Sequence, residues 1–343
     1  MSETIASTPA TEGARPGRSR VRRSAVDAFL RRREASVLLV AIGLMVYFQT
    51  STPIFLTTDN LRNIAQATAP TAIVAVGIVL LLVSGEIDIS VGMVAALAPY
   101  LMHYAIDLYS VPPIPAILLA LAIAAGIGFV NGFITIKLRV PSFVTTLGMF
   151  YLLYGVLLTT SHAYPVAVPE PTKGTIQTWL GQGDWSTLIW CLLIVGVFHV
   201  VLTQTRWGLH TISVGGNMLG ATEAGIRAAR IKTGNFMIAS VLGAFAGILE
   251  AFRINSIDPN IGGGTRITFT AIAAAVIGGT ALAGGSGTVI GALLGMVVLA
   301  ELQNGFNLLG ISANSFFLVQ GVAILVSMIA NQYLSRLRRA GRT

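Results

Sequence analysis

Residues 114–136 read IPAILLALAIAAGIGFVNGFITI, without a single Asp, Glu, Lys or Arg. At a rise of about 1.5 Å per residue, a helix of this run reaches across a hydrocarbon core of ~30 Å. The run lies in a charge-free interval between Asp107 and Lys137, and two further intervals lie between Arg139 and Glu170 and between Arg266 and Glu301. Lipid offers backbone N–H and C=O groups no partner, so such segments must be helices that satisfy those groups internally. The apolar runs are continuous, whereas a β-barrel alternates apolar and polar residues.

Composition carries the same message outward to the whole chain. Its 343 residues are 54% hydrophobic and 10% charged, with a mean hydropathy of +0.76; a soluble domain is about one-quarter charged. Ten helices are expected, at 36–55, 67–84, 90–107, 114–136, 142–160, 187–204, 234–253, 267–283, 288–308 and 314–332. The fold class is therefore an all-α integral membrane protein with about ten transmembrane helices. The one cysteine, Cys191, allows neither an internal disulfide nor a CxxC metal site.

The net charge of +8 is placed at the ends: eight arginines from Arg15 to Arg33, and Arg336, Arg338, Arg339 and Arg342. Basic flanks of apolar helices set topology, so this charge is not read as a nucleic-acid surface. With the N-terminus inside, 18 of the 22 Lys and Arg residues fall in inner segments, leaving Arg62, Lys173, Arg253 and Arg266 outside. Both termini are thus expected in the cytoplasm. Residues 1–35 form an expected disordered basic tail, 36–332 the transmembrane domain, and 333–343 a second basic tail.

Two glycine breaks interrupt apolar stretches: Ser84-Gly85-Glu86-Ile87-Asp88-Ile89-Ser90 and Gly284-Gly285-Ser286-Gly287. Glycine permits the conformations that end helices, and Asp88 or Ser90 suits the N-cap of the following helix. Gly85, Glu86, Asp88, Gly284 and Gly285 are the candidate gating or helix-break residues. The windows Thr71–Gly92 and Thr270–Gly291 agree at seven of 22 positions, a faint internal repeat. The spaced pairs Gly128/Gly132, Gly243/Gly247 and Gly287/Gly291/Gly295 permit close helix approach, either within the chain or between subunits.

Catalytic signatures are missing from the sequence. None of the three lysines, Lys137, Lys173 and Lys232, follows a glycine, so there is no GxxxxGK[ST] phosphate loop, and no GxSxG or HExxH occurs. The chain reads as a transport subunit and not an enzyme, with no metal site. Polar residues inside expected helices, Asn131, Glu301, Gln303 and Asn304, are the candidate substrate path. A carboxylate near the bilayer centre costs ~2.5–3.5 kcal/mol on insertion scales, so Glu301 should face a cavity or a partner; solute contact and interhelical hydrogen bonding both account for it. Residues 205–233 are too long for a bundle connection of about 2–8 residues. A short helix there would dock a soluble partner or lie on the membrane surface.

Four segments in order resemble the permease subunits of bacterial ABC importers for monosaccharides, the ribose/xylose/autoinducer group. Val83 to Gly92 is similar to that family's GGIDLSVG element. Asn131-Gly132 with Leu138 to Gly148 is similar to its NG…LKVPxFIxTLG stretch. Gly215-Gly216-Asn217…Gly225-Ile226 resembles its GGNxxAAxxxGI loop, and Val276 to Thr288 its VIGGTSLAGGxGT segment. The likeness spans about residues 40–332, with Glu86 where the family often has glycine and Met218-Leu219 in place of a common acidic pair.

The resemblance implies a multi-pass protein of the bacterial inner (plasma) membrane. It implies a dimer with a second copy or paralogue, a cytoplasmic ATP-binding subunit, and an extracytoplasmic solute-binding protein. Loop 205–233, through Gly215, Gly216, Asn217, Glu223, Gly225 and Ile226, would couple to the ATPase. That partner would hold ATP and Mg, and this chain no cofactor. The expected cargo is a monosaccharide of the ribose or xylose kind. The alternatives are nucleosides or branched-chain amino acids and, from another class, an ion-coupled secondary transporter relying on Glu301.

Overall fold

A computed structural model of the chain describes residues 33–259 and 265–340. The expected tail up to Arg32, residues 341–343 and residues 260–264 of an expected outer connection lie outside the described residues. Among the described residues, ten long helices correspond to the ten expected. They are α1 (Arg33–Ser51), α2 (Thr58–Val83), α3 (Val91–Asp107), α4 (Pro113–Lys137), α5 (Ser142–Ser161), α6 (Ser186–Gln204), then α9 (Ala228–Ile254), α10 (Thr265–Ile277), α11 (Val289–Leu308) and α12 (Ala313–Ala340). Between α6 and α9 lie two shorter ones, α7 (Arg206–Gly216) and α8 (Met218–Glu223). Among the described residues, α1, α2, α4, α5, α6, α9 and α11 are each long and apolar enough to cross a membrane. Of the rest, α3 has 17 residues and α10 has 13, and the apolar part of α12 is Asn314–Ile329.

Helix α9 is the axis of the fold and packs on α2, α3 and α4. One face, Ala239, Leu242, Ala246 and Leu249, joins an apolar cluster with α2, α10 and α11. The opposite face, Ala244, Ile248 and Ala251, joins a second cluster with α3, α4 and α5. That 3.6-residue periodicity on both sides is what a helix packed on two opposite faces shows.

The spaced glycines serve packing inside the chain. A Cβ on Gly128 would stand 2.5 Å from Phe236 O, one on Gly132 2.7 Å from Thr233 Cα, and one on Gly243 2.7 Å from Val91 Cγ1. Gly247 and Gly295 approach Ala95 O and Ala274 O more closely still. Without a hydrophobic drive between helices in lipid, such close backbone contact supplies the dispersion energy. Gly287 departs from expectation: it lies in the turn before α11, against Thr280 and Val83, not inside a helix.

Several boundaries also depart from the sequence reading, among them the end of α12, which runs to Ala340 where 332 was expected. Helix α2 begins at Thr58, nine residues before the expected 67, because its polar first turns (Asp59 to Gln66) continue the helix beyond the apolar layer. Helix α9 begins at Ala228, so the last residues of the expected loop 205–233 belong to it. Gly234 does not break it there, since the Trp207 indole packs directly on that glycine. Helix α10 stops at Ile277 instead of 283, where Gly279 takes φ +89°.

The outer end of α9 is capped by the α5–α6 connection. Strands Val166–Ala167 and Ser256–Ile257 pair antiparallel. Gln177 Nε2 donates to Asn255 Oδ1 at 2.8 Å, and Tyr100 OH donates to Tyr164 O at 2.7 Å.

Candidate functional site

The first glycine break is not a simple surface connection, whereas the second, Gly284 to Gly287, is half-buried. The stretch 84–90 turns back into the protein: Ser84, Asp88 and Ser90 are fully buried. Its backbone groups find partners without a helix, as irregular backbone at membrane depth must. Gly85 N donates to Leu82 O and Glu86 N to Leu81 O. Ile87 N donates to Ser142 Oγ at 3.3 Å, Ser90 N to Asp88 Oδ1 at 2.8 Å, and Gly92 N to Thr268 Oγ1 at 3.0 Å. The buried run leads directly into α3, a helix of 17 residues.

Asp88 and Asn131 meet in a buried polar knot. Asp88 Oδ1 accepts from Ser90 Oγ at 2.6 Å, while Asn131 Nδ2 donates to Asp88 Oδ2 at 3.2 Å and Ser90 Oγ at 2.9 Å. The knot ties α4 to the start of α3. Asn131 is fully buried there and is not among the residues that line the large cavity described below.

The second break joins the first. Gly285 N donates to Val83 O at 2.8 Å, and a Cβ on Gly284 would stand 3.1 Å from Gly85 Cα. Gly85 and Gly284 occupy equivalent positions in the two matching windows, and both have positive φ, +80° and +85°. L-residues with a Cβ adopt that region only at a cost. The faint repeat is thus matched in three dimensions, with the two breaks meeting at corresponding glycines.

The end of α7 is wedged into the same junction. A Cβ on Gly215 would overlap Val83 O and stand 2.8 Å from Gly285 N, and one on Gly285 would stand 2.6 Å from Gly216 Cα. Immediately beyond, Asn217 Oδ1 caps α8 by accepting from Gly220 N at 2.9 Å. Gly225, at φ +82°, closes α8 with Ile226 N donating to Ala221 O. Val214, Ala221, Ala228 and Ile226 hold α8 against the start of α9. Met218 and Leu219 are left 48% and 71% exposed, beside the exposed Glu223. Gly85, Gly215, Gly216, Gly284 and Gly285, noticed in three separate segments, are therefore one backbone-to-backbone contact.

Glu86 and Lys232 add a charge pair that spacing did not reveal. Lys232, in the second turn of α9, donates to Glu86 Oε1 at 2.6 Å, and both side chains are about nine-tenths buried. Nearby, Asn235 accepts from Trp207 Nε1 at 2.9 Å and donates to Leu80 O and Thr211 Oγ1 at 3.3 Å, binding α7 to α2 and α9.

At the opposite end of the molecule a cavity of about 580 Å³ opens between α2, α9, α10 and α11. Its polar lining includes Asn63, Thr71, Glu250, Arg253, Asp258, Arg266, Thr270, Gln303, Asn304 and Asn307. Arg253 grips Glu250 with two bonds, Nε to Oε2 at 2.8 Å and Nη2 to Oε1 at 2.6 Å. Asn304 and Asn60 exchange reciprocal amide bonds, both at 2.9 Å, across α11 and α2. Gln303 and Asn304 line the cavity as a pair. Glu301 does not line it and is 3% exposed, with Oε2 lacking a hydrogen-bond partner among the described residues. Arg253 and Arg266 entered the sequence reading only as outer charges, yet the i,i+3 pair Glu250/Arg253 near the end of an apolar helix was a readable signal.

A multi-pass helical bundle with a solute-sized polar cavity at one end and a glycine junction at the other is a transport component. The chain belongs to the family described as the branched-chain amino acid transport system, permease component, whose model matches residues 60–328. It is 37% identical over 319 residues to the xylose/arabinose import permease protein XylH of Sulfolobus acidocaldarius, covering 90% of this chain and 87% of that one. It is 35% identical over 302 residues to the ribose import permease protein RbsC of Escherichia coli K12 (87% and 93% covered). It is 31% identical over 293 residues to the ribose import permease protein RbsC of Bacillus subtilis (84% and 89% covered). No solved structure matches it.

Proposed function

We propose that this chain is the membrane-spanning subunit of an ATP-driven importer for a monosaccharide of the ribose or xylose kind. The outer cavity carries the reading. Neutral amides and hydroxyls of Asn63, Thr71, Thr270, Gln303, Asn304 and Asn307 offer both donors and acceptors, which is what a ring of hydroxyls requires. The names of the xylose/arabinose and ribose import relatives support the same choice.

In this reading a binding protein delivers the solute to the outer end, and a separate ATP-binding chain grips the inner end. The exposed Met218 and Leu219 on α8 supply an apolar contact for that partner. A push on α8 reaches both breaks directly, because Gly215 and Gly216 touch Val83 and Gly285 without intervening side chains. The partner shifts the equilibrium between outward and inward forms by binding one of them better. A second copy or paralogue of the chain completes the pathway. The test is uptake into vesicles holding the permease, the ATPase and the binding protein, with ribose, xylose, uridine and leucine offered in turn. Uptake of the pentoses alone is expected; concentrative uptake of leucine or uridine would overturn the sugar assignment.

A further inference from the structure

We propose that the groove between α4 and α9 at their inner ends is a binding site for an anionic glycerophospholipid. The groove encloses about 560 Å³ and is lined by two antiparallel stripes. On α4 these are Phe129, Gly132, Phe133, Ile136 and Lys137; on α9 they are Arg230, Thr233, Gly234 and Met237. Both follow helical spacing, so each stripe is one face of its helix.

Polarity runs along the groove as it does along a lipid. Lys137 is the last residue of α4 and Arg230 lies in the first turn of α9, so both cations stand at the inner mouth. Both are exposed, and neither forms an ion pair with another described residue. No Asp or Glu lines the groove. Toward the bilayer interior the walls become apolar, with Phe129 and Phe133 stacked at 6.2 Å and half exposed. The floor is low because its residues lack side chains: Gly132 lies against Thr233, and Gly234 lies under the Trp207 ring. An acyl chain fits the apolar length while its phosphate meets two cations at headgroup depth. Basic pockets between helices on the inner leaflet recognise acidic lipids in this way. A soluble anion would use the cations and leave the aromatic walls bare.

Trp207 lines the groove and reports on it, whereas Trp179, Trp185 and Trp190 belong to the α5–α6 connection and the outer part of α6. The full chain is reconstituted in vesicles of phosphatidylcholine and phosphatidylglycerol, with one lipid or the other brominated on its chains. The fluorescence of the Trp207→Phe chain is subtracted to isolate Trp207. Preferential quenching by brominated phosphatidylglycerol over phosphatidylcholine at equal mole fraction is expected. The preference should fall roughly fivefold for each cation removed in Lys137→Gln and Arg230→Gln. Equal quenching by both lipids overturns the proposal, as does a preference that survives the double variant. So does a groove shielded from both lipids in which Phe133→Cys cross-links two copies of the chain. Mass measurement of lipids retained by the unlabelled, detergent-purified chain gives the same comparison without Trp207→Phe: retained phosphatidylglycerol lost in the double variant supports the site, and unchanged retention overturns it.

Discussion

Lys232 and Glu86 stand 146 residues apart in sequence and form a buried ion pair with an N–O distance of 2.6 Å. The pair fastens the first helix break to the start of α9, one turn beyond the α8 segment. At the position equivalent to Glu86, the second break has Gly285, so the charge pair occurs on one side of the junction only. Removing one partner strands the other charge away from water, which typically costs about 3–5 kcal/mol, whereas removing both is close to neutral. Lys232→Met and Glu86→Gln should each lower the thermal midpoint of the detergent-purified protein markedly, and the double variant should recover most of it. Equal losses in single and double variants would mean the two side chains are not coupled.

Gly215 is the narrowest point of the inner junction. Gly215→Ala puts a methyl group into Val83 O and must separate α7 from the break. Uptake should be abolished while the ATPase still associates, since α8 is untouched. Gly148→Ala is the control: nothing lies within 4 Å of its Cβ position, and the change should stabilise α5 by about 0.5–1 kcal/mol. Normal uptake by Gly215→Ala would rule out transmission through this contact.

Asn304 and Asn60 form the amide clasp between α11 and α2 at the cavity wall. Asn304→Leu leaves the Asn60 amide with Phe55 O alone. A buried polar group left unsatisfied costs about 1–3 kcal/mol. We expect a lower thermal midpoint and a raised half-saturation concentration for the solute. Loss of stability with unchanged solute dependence would confine Asn304 to a structural role.

The ten helices were legible because charge-free runs such as 114–136 admit one structure in lipid. The depth of the breaks was not. Ser84 to Ser90 is as polar as a surface loop, and its burial depends on Ser142, Asn131 and Thr268, which lie far along the chain. The same distance hid the Glu86–Lys232 pair, although Lys232 is one of three lysines. Gln303 and Asn304, singled out by their place in an apolar helix, both line the cavity. Asn63 was hidden because helix α2 continues past the apolar layer, so hydropathy assigned its first turns to a connection, while Arg253 and Arg266 stand at the ends of their helices and read only as outer charges. Asn131 and Glu301 drew attention as buried polar residues, but burial alone does not separate a knot such as Asn131–Asp88 from a solute path.

Glu301 distinguishes ATP-driven from ion-coupled transport. An ion-coupled carrier relying on it would need its carboxylate to exchange protons or cations along the path. It lies outside the cavity lining. Glu301→Gln should therefore preserve ATP-dependent uptake and leave it insensitive to collapse of the proton gradient. Loss of uptake in Glu301→Gln, together with uptake that persists after the ATPase is inactivated, would favour the ion-coupled reading.

The most direct measurement compares solute accumulation by vesicles carrying the purified chain alone with vesicles that also carry the ATP-binding subunit and receive binding protein and ATP. Accumulation above the external concentration is expected in the complete system and at no solute concentration with the chain alone. Uphill accumulation by the solitary chain would contradict the account.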